Sequence, residues 1–207
     1  MTKTRIAVLV SGGGTNLQAL IDAERSGKIP SGEIVLVISS QYGVRAIERA
    51  AAANIPCVVC NKKELGGEQK AFEEAICKAL DRAGVEMIVL AGFMSILSEA
   101  FTRRYSNRII NVHPSLIPSF CGKGMYGLKV HEAALDYGVK VTGATVHLVN
   151  EIPDGGKILL QKAVDILPGD TAELLQRRVM EQAEWKLLPQ AAEMLAAAMM
   201  NEKENIQ

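Results

Sequence analysis

A doubly wound α/β fold, with a mostly parallel sheet and helices on both faces, is what this chain predicts. Three observations carry the prediction. Short apolar runs alternate with amphipathic helical stretches as far as Ala91. The links between them are short, and the first run ends on glycines that lead straight into a helix. Strand, helix, strand, repeated with brief connections, builds a parallel sheet covered on both sides.

The elements follow in order. Ile6-Ala7-Val8-Leu9-Val10 is an unbroken apolar run, which suits a strand buried on both faces. From Asn16 to Ser26, Leu17, Leu20, Ile21 and Ala23 make one helical stripe. Ile34 to Ile38 is a second buried strand, Arg45 to Ala53 a second helix, and Cys57 to Cys60 a third strand. Gln69 to Ala83 is a helix with Phe72, Ala75, Ile76, Ala79 and Leu80 on one face, and Met87 to Ala91 is a fourth strand. The rhythm then changes. Arg108 to His113 is a strand with a polar end, and Pro114 to Tyr126, with two prolines and two glycines, is a loop. Leu128 to Tyr137 is a helix, Val141 to Asn150 an alternating strand, and Pro153-Asp154-Gly155-Gly156 a turn. Ile158 to Val164 is a strand, and helix runs from Thr171 to the mid-190s.

The 207 residues read as a single domain over 1–200 with a frayed tail at 201–207. At 48% hydrophobic and 22% charged, the composition is that of a globular protein rather than a disordered one. Lys+Arg and Asp+Glu are 23 each, so the formal charge is zero. That balance excludes a nucleic-acid binder acting through a broad basic field, which needs surplus cations to displace counterions. No apolar run reaches the roughly 18–20 residues that span a bilayer, so no membrane partner is expected. The N-terminus lacks the apolar stretch of a signal peptide, and a cytoplasmic location is expected. Oligomeric state stays open between monomer and homodimer. Cys57 and Cys60 are spaced C-x-x-C, but on a strand residues three apart face opposite sides. Together with Cys77 and Cys121 they read as reduced structural thiols. The histidines stand singly at 113, 131 and 147, so no metal site is expected.

Ser11-Gly12-Gly13-Gly14-Thr15-Asn16 joins the first strand to the first helix. Glycines let the backbone approach a ligand, and a helix start offers unpaired N–H groups and a positive dipole end. Position 17 is Leu where a dinucleotide fingerprint needs glycine, and no lysine completes a Walker loop. The loop therefore fits a single phosphate monoester better than NAD or ATP. The alternative is a tight turn with no ligand.

Asn111 and His113 are two residues apart at the end of a sheet strand, and so on one side of it. Ligands of open α/β sheets bind beyond the carboxyl ends of the strands. An amide and an imidazole aimed at one point can hold a carbonyl oxygen and stabilise it as an oxyanion. A carboxylate nearby favours the charged imidazole, and Asp154 in its glycine turn is the candidate. A strand-end histidine also serves as a hydrogen-bonded structural residue. For His131, inside a helix, and His147, inside an alternating strand, the structural role leads.

Five blocks carry a resemblance: Ser11 to Gln18, Ala91 to Leu97, Asn111 to Pro118, Val141 to His147 and Glu151 to Gln161. In this order, and over nearly the whole chain, they resemble the folate-dependent formyltransferases, and among them the glycinamide ribonucleotide branch. A Rossmann-like formyltransferase fold is implied. So is transfer of a formyl group from the co-substrate 10-formyltetrahydrofolate to the amine of 5′-phosphoribosylglycinamide in de novo purine biosynthesis. His113 would be the catalytic acid, Asn111 would hold the formyl oxygen, and Asp154 would orient His113. Gly14, Thr15 and Asn16 would bind the substrate phosphate, and Glu184 would contact the ribonucleotide. Met94, Ser95, Ile96 and Leu97 would form part of the folate pocket, with Asn150, Glu151 and the residues to Asp154 around the pterin. The formyltetrahydrofolate deformylases, which hydrolyse the same folate, are the alternative branch. Ser95, Gln69, Trp185 and Cys121 depart from the family's usual residues, with Lys70 beside Gln69 as a substitute cation.

Overall fold

The computed structural model describes residues 2–204. Its strands form one seven-stranded sheet in the order β3-β2-β1-β4-β5-β6-β7. They are β1 (Thr4–Val10), β2 (Gly32–Ser39), β3 (Cys57–Val59), β4 (Met87–Leu90), β5 (Ile109–His113), β6 (Val141–Leu148) and β7 (Ile158–Asp165). The helices are α1 (Thr15–Arg25), α2 (Arg45–Ala52), α3 (Gln69–Arg82), α4 (Glu99–Arg104), α5 (Leu128–Tyr137), α6 (Ala172–Val179) and α7 (Trp185–Glu204). β1 to β5 pair in parallel, whereas β6 and β7 join antiparallel.

Alternation divides the apolar runs between two cores. Ile6, Val8 and Val10 pack with Leu17, Leu20 and Ile21 of α1 and with Leu175, Leu188 and Ala192 of α6 and α7. Ala7 and Leu9 point the other way, to Phe72, Ile76 and Leu80 of α3 and Phe101 of α4. Both faces are apolar because both are covered. The same alternation separates Cys57, which packs on the first core, from Cys60, which is buried in the second. All four cysteines are free thiols.

Winding runs outward from β1 to β3, then restarts at β4 on the other side of β1. This reversal opens a crevice at the carboxyl ends of β1 and β4, the ordinary ligand position in such sheets. Three segments meet there: the glycine loop after β1, residues 91–98 after β4, and the end of β5.

Three features differ from the sequence expectation. α4 was absent from it; six residues are too few to show a period, but Ser98 caps the helix by accepting the Phe101 N–H. The C-terminal helix is broken by a π-helical turn, Met180–Glu184. The expected tail at 201–207 is helical through Glu204, where Lys203 pairs with Glu86 at 2.6 Å. Residues 205–207 lie outside the described residues. No helix among the described residues is long and apolar enough to cross a membrane.

Candidate active site

The site is built on strand ends. β5 and β6 run antiparallel with Asn111 opposite His147 and His113 opposite Thr145. Asn111, His113 and His147 therefore share one face of the sheet. The turn after β6 carries Asp154, held in the left-handed region at φ 57°. Its Oδ2 lies 3.5 Å from His113 Nδ1, and its Oδ1 lies 3.6 Å from His147 Nε2. The Gly122 N–H donates to the same carboxylate at 2.8 Å. Burial works to raise the Asp154 pKa, but the charge of His113 and the hydrogen bond from the Gly122 N–H work against it. The carboxyl is held below its usual range.

His113 is buried. Its Nε2 lies 2.8 Å from the Phe120 carbonyl, which can only accept, so Nε2 carries a hydrogen. The segment after Pro118 thus lies over the imidazole, with Phe120 at φ 50°. Asn111 Nδ2 is 3.2 Å from His147 Nε2.

The glycine loop forms the opposite wall. Gly14 caps α1 in the left-handed conformation, φ 70°, without a side-chain cap. The first-turn N–H groups are left facing the crevice end of the helix, where an anion is favoured. Arg49 of α2 donates to the Gly13 carbonyl at 2.9 Å and to Gln18 at 2.9 Å, setting a cation beside the loop. Ser11 ties this loop to the next one, because its Oγ accepts the Met94 N–H at 2.9 Å. Asn16 donates to Glu184 Oε2 at 2.7 Å. Glu184 is 7% exposed, and desolvation pushes its pKa up to about 7 against the Asn16 hydrogen bond.

These walls enclose a cavity of about 510 Å³ that reaches Gly14, Thr15, Asn16, Asn111, His113, Asp154 and Glu184. Met94, Ser95 and Ile96 line it, as does His131. His131 is 0% exposed, and neither of its nitrogens has a partner. Burial, with the charge of His113 second, lowers its pKa to about 4. A slot of about 120 Å³ adjoins Asn111 and Asp154; Leu90, Phe93, Leu97, Val149 and Ile152 line it, with Asn150 and Glu151. A larger groove of about 860 Å³ between α1 and α7 touches none of Asn111, His113 or Asp154. No cluster of metal-ligating side chains occurs among the described residues.

The site residues named from sequence thus fall around one connected space. From sequence His147 was given a structural role, and Arg49 was not singled out. His147 needed the β5–β6 register, and nothing in the pattern of α2 marks Arg49. Lys62 approaches Gln69, its Nζ donating to Oε1 at 2.8 Å.

Residues 4–192 match the family model described as formyl transferase. The phosphoribosylglycinamide formyltransferase of Haemophilus influenzae is 40% identical over 98% of this chain and 92% of its own length. The trifunctional purine biosynthetic protein adenosine-3 of Bos taurus is 45% identical over 98% of this chain. This chain spans only 19% of that relative's length. Among solved structures, phosphoribosylglycinamide formyltransferase from Brucella melitensis superposes with a TM-score of 0.86 at 42% identity, covering 95% of this chain and 97% of that one. The glycinamide ribonucleotide transformylase 1 of Symbiobacterium toebii gives 0.88 at 39% identity over 95% and 89% of the two chains. With the family model spanning nearly all of the sheet and the strand-end site, this chain belongs to the formyl transferase family.

Proposed function

We propose that the chain transfers the formyl group of 10-formyltetrahydrofolate to the amine of 5′-phosphoribosylglycinamide, in the cytoplasm, as a step of de novo purine biosynthesis. The observation that carries this is the meeting of Asn111, His113 and Asp154 over one cavity whose far wall is a helix-capping glycine loop. The folate, when bound, supplies an electrophilic formyl carbon to the incoming amine. Its ring system fits the apolar slot beside Asn111, where Asn150 and Glu151 offer polar edges and Ser95, Ile96 and Leu97 form a wall; Met94 lies at the larger cavity.

The residues then divide the work. Gly14, Thr15 and Asn16 receive the phosphate at the start of α1, with Arg49 adding positive charge behind the loop. Glu184, oriented by Asn16, faces the ribonucleotide. Asn111 donates an amide N–H to the formyl oxygen as negative charge grows there, a contribution of about 3–4 kcal/mol for one such donor. The new C–N bond forms as the bond to the folate nitrogen breaks. The amine gives up a proton, the leaving nitrogen gains one, and His113 is the group set to carry it. Asp154, kept ionised, stabilises the charged imidazole. The amine needs positioning rather than activation by a nucleophilic side chain. Phe120 must release the Nε2–H of His113 before that hydrogen reaches substrate.

The test is turnover by the purified chain supplied with the ribonucleotide and the formyl folate. Formylated product should appear in step with tetrahydrofolate, and only when the ribonucleotide is present. Formate release without the amine would point to the hydrolase instead, and no consumption of the folate would refute both.

A further inference from the structure

We infer that His147 is the positioning residue that fixes which end of the Asn111 amide faces the substrate. This role rests on the formyl transfer proposed for the site. Asn111 and His147 are direct cross-strand partners on β5 and β6, so their side chains stand side by side. The His147 ring is 2% exposed and fully engaged. Nδ1 lies 2.7 Å from the Leu148 carbonyl. A carbonyl only accepts, so Nδ1 carries the hydrogen. Nε2 lies 3.2 Å from Asn111 Nδ2. An amide nitrogen only donates, so Nε2 presents its lone pair. Asp154 Oδ1, 3.6 Å from the same Nε2, is beyond hydrogen-bond length. The ring that satisfies both short contacts is the neutral Nδ1–H tautomer.

The consequence lies at Asn111. One Nδ2 hydrogen is held by His147, and the second remains for the formyl oxygen. Turning the amide over would set its carbonyl lone pairs against the lone pair of Nε2. The ring therefore selects one of two amide orientations that are nearly equal in shape. Without it, part of the population would offer a carbonyl oxygen to the oxygen on which charge accumulates. A donor held in place before the reaction is worth more than one that must reorient during it.

Two measurements on the full chain test this. Long-range proton–nitrogen NMR of the wild type at pH 7.5 should show His147 with a hydrogen on Nδ1 and none on Nε2. A ring protonated at both nitrogens and paired with Asp154, or protonated at Nε2 alone, overturns the assignment whether or not the chain transfers formyl groups. In kinetics, His147→Phe should lower kcat about tenfold while KM for the ribonucleotide stays within twofold. In an Asn111→Ala background the same substitution should change kcat by less than twofold, because the amide it orients is gone. Equal losses in both backgrounds would mean that the ring acts by some route other than Asn111. If His147→Phe does not fold, the NMR result decides. An inactive wild type would count against formyl transfer and leave the tautomer result standing.

Discussion

At the residue scale, His113 and Asp154 make the sharpest demands on experiment. His113→Ala should lower kcat by at least about a hundredfold, the usual size of an acid–base contribution, while ribonucleotide binding by calorimetry stays within about threefold. Retention of more than a tenth of the wild-type rate would remove His113 from the proton path. Asp154→Asn keeps shape but loses the charge facing both imidazoles and weakens the acceptor for Gly122. It should lower kcat more than it alters either KM, and an unchanged kcat would show that the carboxylate is not used. Asn111 and His113 were legible in the sequence because strand alternation puts both on one side and Pro114 ends the strand there. Asp154 was legible only as a candidate partner in its glycine turn, since a residue remote in sequence has no period that shows which strand end it meets. His147 was hidden for a different reason. Its function comes from lying opposite Asn111, and cross-strand register is not written in either strand alone.

At the element scale, the loop after β4 is pinned from outside the pocket. Glu73, buried on α3, accepts from the Ser98 N–H at 2.6 Å, from the Ser98 hydroxyl, and from Gln69 Nε2 at 2.6 Å. Gln69 also donates to the Ile96 carbonyl at 3.0 Å. One carboxylate thus fixes the cap of α4 and the loop that bears Met94 to Leu97. Glu73→Ala should raise KM for the folate several-fold and leave ribonucleotide affinity within twofold; a loss confined to the ribonucleotide would break the link to this loop. A matching device sits on the other side. At Gly14 the backbone is left-handed, and a Cβ would meet Ala46 Cβ at 2.8 Å and Ala46 Cα at 2.9 Å. Gly14→Ala combines that backbone strain, about 1–3 kcal/mol, with a push on α2. It should lower the urea midpoint and weaken ribonucleotide binding together. An effect on neither would mean that α2 yields without cost. Long periodic helices and doubly buried strands were readable because their apolar spacing repeats. α4 and the π turn at Met180–Glu184 were not, since neither is long enough to repeat, and what sets them is a cap or a contact made elsewhere.

At the scale of the whole molecule, two buried groups around the same cavity oppose each other as pH changes. Desolvation raises Glu184 from an ordinary 4.5 to about 7. Between those values the native state keeps a proton that the unfolded chain has lost, so stability falls as pH rises, by about 3 kcal/mol in total. Burial lowers His131 from 6.5 to about 4. Between those values the unfolded chain holds a proton that the native state lacks, so stability rises with pH, again by about 3 kcal/mol. The windows overlap from pH 4.5 to 6.5, and there the two slopes cancel. Asp154, held below its usual range, acts at lower pH and leaves this interval unaffected. The wild type should therefore show a nearly level stability from these two groups across the overlap, and each substitution should expose the other. Glu184→Gln keeps an acceptor for Asn16 and removes the titration; its stability should climb by about 2 kcal/mol from pH 4.5 to 6.5. His131→Leu breaks no hydrogen bond, since both ring nitrogens lack partners, and its stability should instead fall by a similar amount over the same interval. Urea unfolding at pH 4.5, 5.5 and 6.5 reads both slopes directly. Parallel curves for the wild type and the two variants would show that neither group changes its proton occupancy on folding. Opposite tilts would show that a cavity built to receive a charged substrate carries the electrostatic cost of its own burial in two compensating places.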